Sequence, residues 1–328
     1  MRKGTSTAAG LVLGFVLDRV FADPRRWHPV AGFGSAAAAL EGQTYVDDRR
    51  AGVVHEVIAV GSVVGIGVLV ARTGGASARS GSLVARAGGS SGRGTVLVTA
   101  LATWTALGGR SLVRAGYAMA DRLEAGDLVG ARELLPSLCG RDPSVLDADG
   151  LARAALESIA ENTSDAAVAP LLWGAVAGVP GLLGYRAINT LDAMIGYRNE
   201  RYENFGWAAA RVDDLANLVP ARVTGLLTAV LAPLVGGTAG AALRAWRRDA
   251  AGHPSPNAGV VEASMAGALG IRLGGLTQYR HGIELRPTLG DGPTPTAGDL
   301  RRAVRMSAAV QVGAVGVAVV VRMLRGKG

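Results

Sequence analysis

Residues 157–185 read ESIAENTSDAAVAPLLWGAVAGVPGLLGY. Glu157, Glu161 and Asp165 recur at i, i+4 and i+8, which lines them along one face of a helix. The segment 166–185 that follows is apolar and about as long as a bilayer crossing requires, roughly 20 residues. It also carries Pro170, Pro180 and four glycines. A second polar stretch then reads INTLDAMIGYRNERYENFGW (188–207) and ARVDDLANLVPAR (210–222). A single crossing by 166–185 would strand the two polar clusters on opposite membrane faces. A broken or re-entrant helix would let both serve one cavity, and irregular backbone at membrane depth is tolerated where it lines a cavity. The fold class this predicts is all-α: a polytopic integral membrane helical bundle, with re-entrant or broken helices around a polar cavity.

Working outward, further apolar segments occupy 7–21, 57–71, 95–107, 223–243 and 303–321. They predict four to six membrane-embedded helices, with strands absent or minor because no period-2 alternation is sustained. Composition agrees. The 328 residues are 49% hydrophobic but only 5% aromatic, with 48 glycines and a mean hydropathy of +0.28. Small residues in that proportion suit closely packed membrane helices. The first apolar segment carries Asp18 and lacks a convincing small-residue cleavage site, so it reads as retained rather than as a signal peptide. Residues 1–328 read as one membrane-embedded catalytic domain. Residues 74–94 (GGASARSGSLVARAGGSSGRG) form a flexible Gly/Ser/Arg-rich connector within it.

Formal charge is +8, and of 34 basic side chains only Lys3 and Lys327 are lysines. A G-x-x-x-x-G-K-[ST] nucleotide loop is therefore excluded, and phosphate contacts fall to arginine or backbone N–H. The arginines are scattered among apolar segments without a nucleic-acid module, which points to anionic lipid and away from nucleic acid. They are too even between segments to orient the spans. The single cysteine, Cys139, rules out an intrachain disulfide and a multi-cysteine metal site.

Candidate chemistry concentrates in six places. Asp23-Pro24 and His28-Pro29 form a turn after the first segment, able to present Asp23 and His28 to a substrate or simply to end a helix. Gly140-Arg141-Asp142-Pro143 reads equally as a turn or a surface ion pair. Glu157, Glu161, Asn162 and Asp165 form an acidic face with no basic residue between Leu156 and Pro170, the pattern of a metal or substrate site. Asn189 and Asp192, then Arg198 and Arg201, offer an amide–carboxylate pair and two guanidiniums suited to phosphate. Arg211, Asp213, Asp214, Asn217 and Arg222 form a third constellation, with Glu157, Glu161, Asp165, Asp213 and Asp214 as candidate Mg²⁺ ligands. Magnesium uses few protein carboxylates and completes its shell with substrate phosphates. Finally, His253-Pro-Ser255-Pro-Asn257-Ala-Gly is a rigid loop before a small-residue helix, open to backbone contact with an anionic ligand or to a purely capping role.

Taken in order, D-P-x-x-x-H-P, GRD, ESIAENTSD, NTLD, GY-x-NERY-x-x-FGW, AR-x-DD-x-x-N-x-PAR and HPSPNAG-x-x-E-x-x-MAGALG-x-x-LGG resemble the CobD/CbiB family of membrane adenosylcobinamide-phosphate synthases. The likeness runs from about Leu11 to the last helix. It departs at Ala22, where glycine is usual, and at Pro143, Ala166 and Ala193. The resemblance implies ATP- and Mg²⁺-dependent joining of (R)-1-aminopropan-2-ol, or its O-phosphate, to the propionate of adenosylcobyric acid. For this chemistry the candidate catalytic residues are Glu157, Glu161, Asp192, Asp213, Asp214 and His253, and the sequence does not choose the base among them. Substrate or phosphate contacts fall to Asp23, His28, Asn162, Asn189, Arg198, Arg201, Arg211, Asn217, Arg222, Ser255 and Asn257. The expected setting is the cell membrane, with the site open to the cytoplasm; association with other cobalamin-assembly membrane enzymes and the oligomeric state stay open. Two other classes compete: a membrane alcohol-phosphate or prenyl transferase acting on a Mg-diphosphate, and a non-enzymatic corrinoid-handling membrane protein.

Overall fold

A computed structural model describes residues 3–23, 28–76, 90–197, 199–279 and 282–326. In chain order these form α1 (Lys3–Phe21), α2 (Pro29–Thr44), α3 (Arg49–Ala76), α4 (Ser90–Ala106), α5 (Gly109–Glu124), α6 (Leu128–Leu134), α7 (Ala148–Thr163) and α8 (Ala169–Ile195). They continue with α9 (Trp207–Leu231), α10 (Ala239–Asp249), α11 (Ala258–Leu269), the strands β1 (Leu273–Tyr279) and β2 (Gly282–Leu289), and α12 (Ala297–Arg325). The architecture is all-α, as the apolar segments predict, with one antiparallel hairpin, β1–β2. Among the described residues, six helical stretches are long and apolar enough to cross a membrane: Gly4–Phe21, Arg49–Gly74, Gly92–Glu124, Ala148–Ile195, Trp207–Val235 and Ala297–Arg325. The chain is a multi-pass membrane protein.

Large aliphatic side chains on these helices are exposed in the isolated chain, including Val57, Ile66 and Leu69 on α3 and Leu215, Val219, Leu226 and Val230 on α9. Contiguous apolar surface of that kind is a liability in water but matches hydrocarbon. The segment read as 223–243 ends earlier than expected. After α9, Pro233 sits in a tight 3₁₀ turn and Gly236 takes φ +79°, so a separate helix, α10, begins at Ala239. The span instead reaches back to Trp207, through Asp213 and Asp214. Of the 74–94 connector, both ends belong to α3 and α4; residues 77–89 lie outside the described residues.

The chain divides into two compact units. The first comprises Met1–Gly108, Ala169–Asn217 and Val315–Gly328; the second, Gly109–Val168 and Leu218–Ala314. In the first unit, α1 packs on α4 through Gly10 and Gly14, where an added β-carbon would strike Thr99 and Thr103. Small residues four apart allow such close backbone approach without a hydrophobic drive between helices. Helix α8 is broken within its apolar run: Gly178 takes φ +68°, ψ −152°, two residues before Pro180. Proline removes an N–H and clashes with the preceding turn, so the break has a local cause. The Ala175 carbonyl near the break accepts from Arg322 Nη1 at 3.5 Å. A π-helical turn, Ser164–Val168, lies between α7 and α8.

Ala22 explains one departure from the family pattern. It ends α1 with φ +57°, its N–H bonded to Asp18 O at 2.8 Å and its carbonyl to Trp104 Nε1 at 2.9 Å. A left-handed C-terminal position favours glycine, since a β-carbon there costs about 1 kcal/mol. Ala22→Gly should therefore raise stability by about 0.5–1 kcal/mol, net of the extra unfolded-state entropy. Gly178→Ala should lower it by about 1–2 kcal/mol for the same reason in reverse. Thermal unfolding of the detergent-solubilised protein checks both signs.

Candidate functional site

In the second unit, the acidic face of α7 meets the 253–262 segment and the hairpin. Glu157, 3% exposed, accepts from Arg141 and from the Gly274 N–H at 2.8 Å. That N–H is available because Gly274 adopts φ +76° at a bulge, where a β-carbon would collide with the Pro287 carbonyl. Only glycine fits such a position. One turn on, Glu161 hydrogen-bonds Glu262, a buried carboxyl on α11. Burial, and then the charges of Glu161 and Glu157, push Glu262 well above the ordinary carboxylate range. A single proton between the two carboxyls would let one donate to the other.

His253 lies beside this pair, its Nε2 3.8 Å from Glu262 Oε1 and 3.0 Å from Arg286 Nη1. A guanidinium can only donate, so Nε2 accepts from Arg286, while Nδ1 lies 3.2 Å from the Ser255 carbonyl and 3.1 Å from the Ser255 N–H. Burial, with Arg286 adding to it, lowers the His253 pKa and keeps the imidazole neutral. The loop closes through Ser255 Oγ, which accepts from the Asn257 and Ala258 N–H groups at 3.3 and 3.2 Å. Arg222 Nη1 donates to Asn257 Oδ1 at 2.8 Å. Glu157, Glu161, His253, Ser255, Asn257 and Arg222 thus fall in one unit.

The first unit holds a different polar group. Asp213 accepts from Asn217 Nδ2 at 2.9 Å and Asn189 Nδ2 at 3.3 Å; Asn217 Oδ1 in turn accepts from the Tyr185 hydroxyl at 2.9 Å. Asp214, next on the helix, points elsewhere and pairs loosely with exposed Arg211 at 3.8 Å. Asp192 lies near the Tyr197 ring hydroxyl, whose pKa is raised by burial and then by that charge. A cavity of about 580 Å³ in this unit is lined mainly by apolar groups such as Phe33, Ile58, Val63 and Leu183, with Ser62, Thr105, Arg186 and Thr190 its polar residues.

Several expected site residues have structural tasks. His28 caps α2, its Nδ1 accepting the Val30 N–H at 3.2 Å, with Asp23 3.9 Å from Nε2. Arg201 is engaged by Glu41 at 2.7 Å and lies 4.2 Å over the Tyr45 ring. Asn162 donates back to Ser158 on its own helix. Asp142 caps a 3₁₀ turn, its Oδ1 accepting the Ser144 N–H. Its neighbour Arg141 pairs with Glu157 rather than with Asp142 at a surface. Arg198 lies outside the described residues. Among the described residues, no group of three or more His, Cys, Asp or Glu side chains is placed to hold a metal alone. The proposed row of Glu157, Glu161 and Asp165 is thus not an isolated acidic face. Glu157 and Glu161 take remote partners, and Asp165 sits half-buried in the π turn. Sequence reasoning missed Glu41 and Arg286 as functional candidates; Glu262 was visible three residues after HPSPNAG but had no assigned role.

Comparison with known proteins bears on this arrangement. The CobD/Cbib protein family model matches residues 11–307. The chain belongs to the CobD/CbiB family. A Mycobacterium tuberculosis H37Rv relative named Cobalamin biosynthesis protein CobD is 58% identical over 312 residues, 95% of each chain. A Geobacter metallireducens relative of the same name is 43% identical over 296 residues, 89% of each. A Rhodobacter capsulatus one is 52% identical over 212 residues, 64% of this chain and 66% of that one. No solved structure matches. Membership in the CobD/CbiB family supports a role in cobalamin biosynthesis.

Two measurements test the second unit. Arg141→Ala leaves Glu157 buried without its cation and should cost about 3–5 kcal/mol in thermal unfolding. For Glu262 the unfolded carboxyl titrates near 4.5 and the folded one higher. Its contribution is full below about pH 4.5 and is lost as pH rises. Glu262→Gln keeps a donor toward Glu161 and cannot ionise. Its melting temperature relative to wild type should rise as the pH is raised above about 4.5.

Proposed function

We propose that the protein forms an amide between the propionate carboxylate of adenosylcobyric acid and the amine of (R)-1-aminopropan-2-ol or its O-phosphate, using ATP and Mg²⁺. The observation that carries this reading is the Glu161–Glu262 pair beside neutral His253, with Arg141, Arg286 and Arg222 in the same unit. Two carboxyls that share a proton when no cation is present fit a Mg²⁺ completed by phosphate oxygens rather than a dedicated metal cage. Glu161 and Glu262 are the residues that would hold it. Carboxylate and amine do not condense unaided in water; ATP supplies the phosphoryl group that activates the acid, and Mg²⁺ offsets its charge.

The chain's own groups supply the rest. Arginine binds phosphate and carboxylate bidentately. His253 is held neutral by burial and Arg286, and in this unit it is the group able to take the proton the amine must lose. Glu157 is committed to Arg141 and Gly274; it positions α7 against the hairpin rather than reacting. The setting is the cell membrane, with the site open to cytoplasmic ATP.

The test is product formation by the purified membrane protein from adenosylcobyric acid and aminopropanol phosphate. Turnover should need both ATP and Mg²⁺, and Glu161→Gln should reduce it at least about tenfold, the scale of losing a metal contact, without loss of fold. ATP-independent turnover of a diphosphate would support the transferase reading instead. Near-normal activity of Glu161→Gln at limiting Mg²⁺ would remove that residue from the metal.

A further inference from the structure

The cavity of about 580 Å³ in the first unit lies at membrane depth. Its wall residues Ile58 and Ile66 belong to the span Arg49–Gly74, and Leu183, Arg186 and Thr190 to the span Ala148–Ile195. Helices α2 and α4 complete it through Phe33 and Thr105. Ile58 and Ile66 are among the exposed aliphatic side chains of α3, with Val57 and Leu69, so the cavity opens on a face that meets hydrocarbon. A ligand reaching it comes from the bilayer and brings an apolar part. The volume is within the roughly 300–1,000 Å³ of small-ligand sites.

The polar lining sets the head that such a ligand carries. The hydroxyls of Ser62, Thr105 and Thr190 each donate to a carbonyl of their own helix, at 2.6, 3.1 and 2.7 Å. Their protons are spent. Arg186 is the charged residue of the lining. Its Nη1 donates to Asn189 Oδ1 at 3.4 Å, and Asn189 donates in turn to Asp213 at 3.3 Å. A guanidinium presents five N–H donors, so it can hold this amide and still take ligand oxygens. Ionised side chains inside a span face a cavity or a partner, and phosphate is a bidentate match for a guanidinium. Among the described residues none of the lining side chains is acidic. Nothing there receives the ammonium of a zwitterionic lipid.

We propose that this cavity binds an anionic phospholipid, with an acyl chain against Phe33, Ile58 and Leu183 and the phosphate on Arg186. Asn189 is a positioning residue, steering the guanidinium from its own hold on Asp213. The bound lipid fills the space between α2, α3 and α8. The site stands independently of the amide-forming chemistry.

The experiment is native mass spectrometry of the full-length protein, delipidated in detergent and titrated with phosphatidylglycerol or phosphatidylcholine of matched acyl chains, and separately with inorganic phosphate. Wild type should hold one phosphatidylglycerol about tenfold more tightly than phosphatidylcholine, the scale of one charge-assisted hydrogen bond, and should melt higher with it. Arg186→Gln should remove that preference, and Arg186→Lys, which restores the charge, should recover much of it. Ala36→Phe fills the cavity from an exposed position on α2 and should weaken binding of both lipids. Equal affinity of wild type for the two lipids, a preference that survives Arg186→Gln, or phosphatidylglycerol binding that Ala36→Phe leaves intact would each overturn the proposal. Displacement of the lipid by inorganic phosphate, equally in wild type and Ala36→Phe, is the behaviour of a free-phosphate site and would overturn it too.

Discussion

The second unit depends on how one buried negative charge is satisfied. Glu157 sits inside a helix that packs on apolar neighbours, where an unpaired carboxylate would be prohibitive. Arg141 brings a guanidinium from a loop that precedes α7, and Gly274 brings a backbone N–H from a strand over a hundred residues later. That pairing ties α7 to the hairpin, and Arg286 on β2 reaches His253 beside Glu262. The loop 253–257, the Glu161–Glu262 pair and His253 all lie on elements that this carboxylate holds together. Such an ion pair adds little net stability over an apolar substitute, but it specifies one arrangement.

Much of the fold was legible because apolar run length and backbone breakers act locally. Each of the apolar segments at 7–21, 57–71, 95–107, 166–185 and 303–321 lies within a long helical span, and the break expected in 166–185 occurs where Gly178 and Pro180 stand. The end of 223–243 was misread because hydropathy alone does not register the turn that Pro233 and Gly236 impose. The hairpin was not anticipated, since its side of the chain mixes glycine with polar residues and shows little alternation.

The site was less legible, for a physical reason. Residue type announces that carboxylates are present, but charge compensation is non-local. Glu157 and Glu161 look alike in sequence; one is neutralised by Arg141 and the other hydrogen-bonds Glu262. Arg198 and Arg201 look like a matched pair for phosphate, yet Arg201 is taken by Glu41 and Tyr45 from the other end of the chain. Asp213 and Asp214 look like twins, and a helix turns adjacent side chains about 100° apart. One faces amides inside the unit and the other an exposed arginine.

The donor at the break in α8 carries a consequence for biogenesis. Gly178 and Pro180 interrupt the helical ladder, and the carbonyl of Ala175 is met by Arg322 on α12, 147 residues later. A ribosome feeding this protein into a membrane delivers α8 long before Arg322 exists. During that interval the carbonyl must find water or another transient donor, in a medium that offers few. Helix α12 thus supplies, well after α8 is made, the donor that its break lacks.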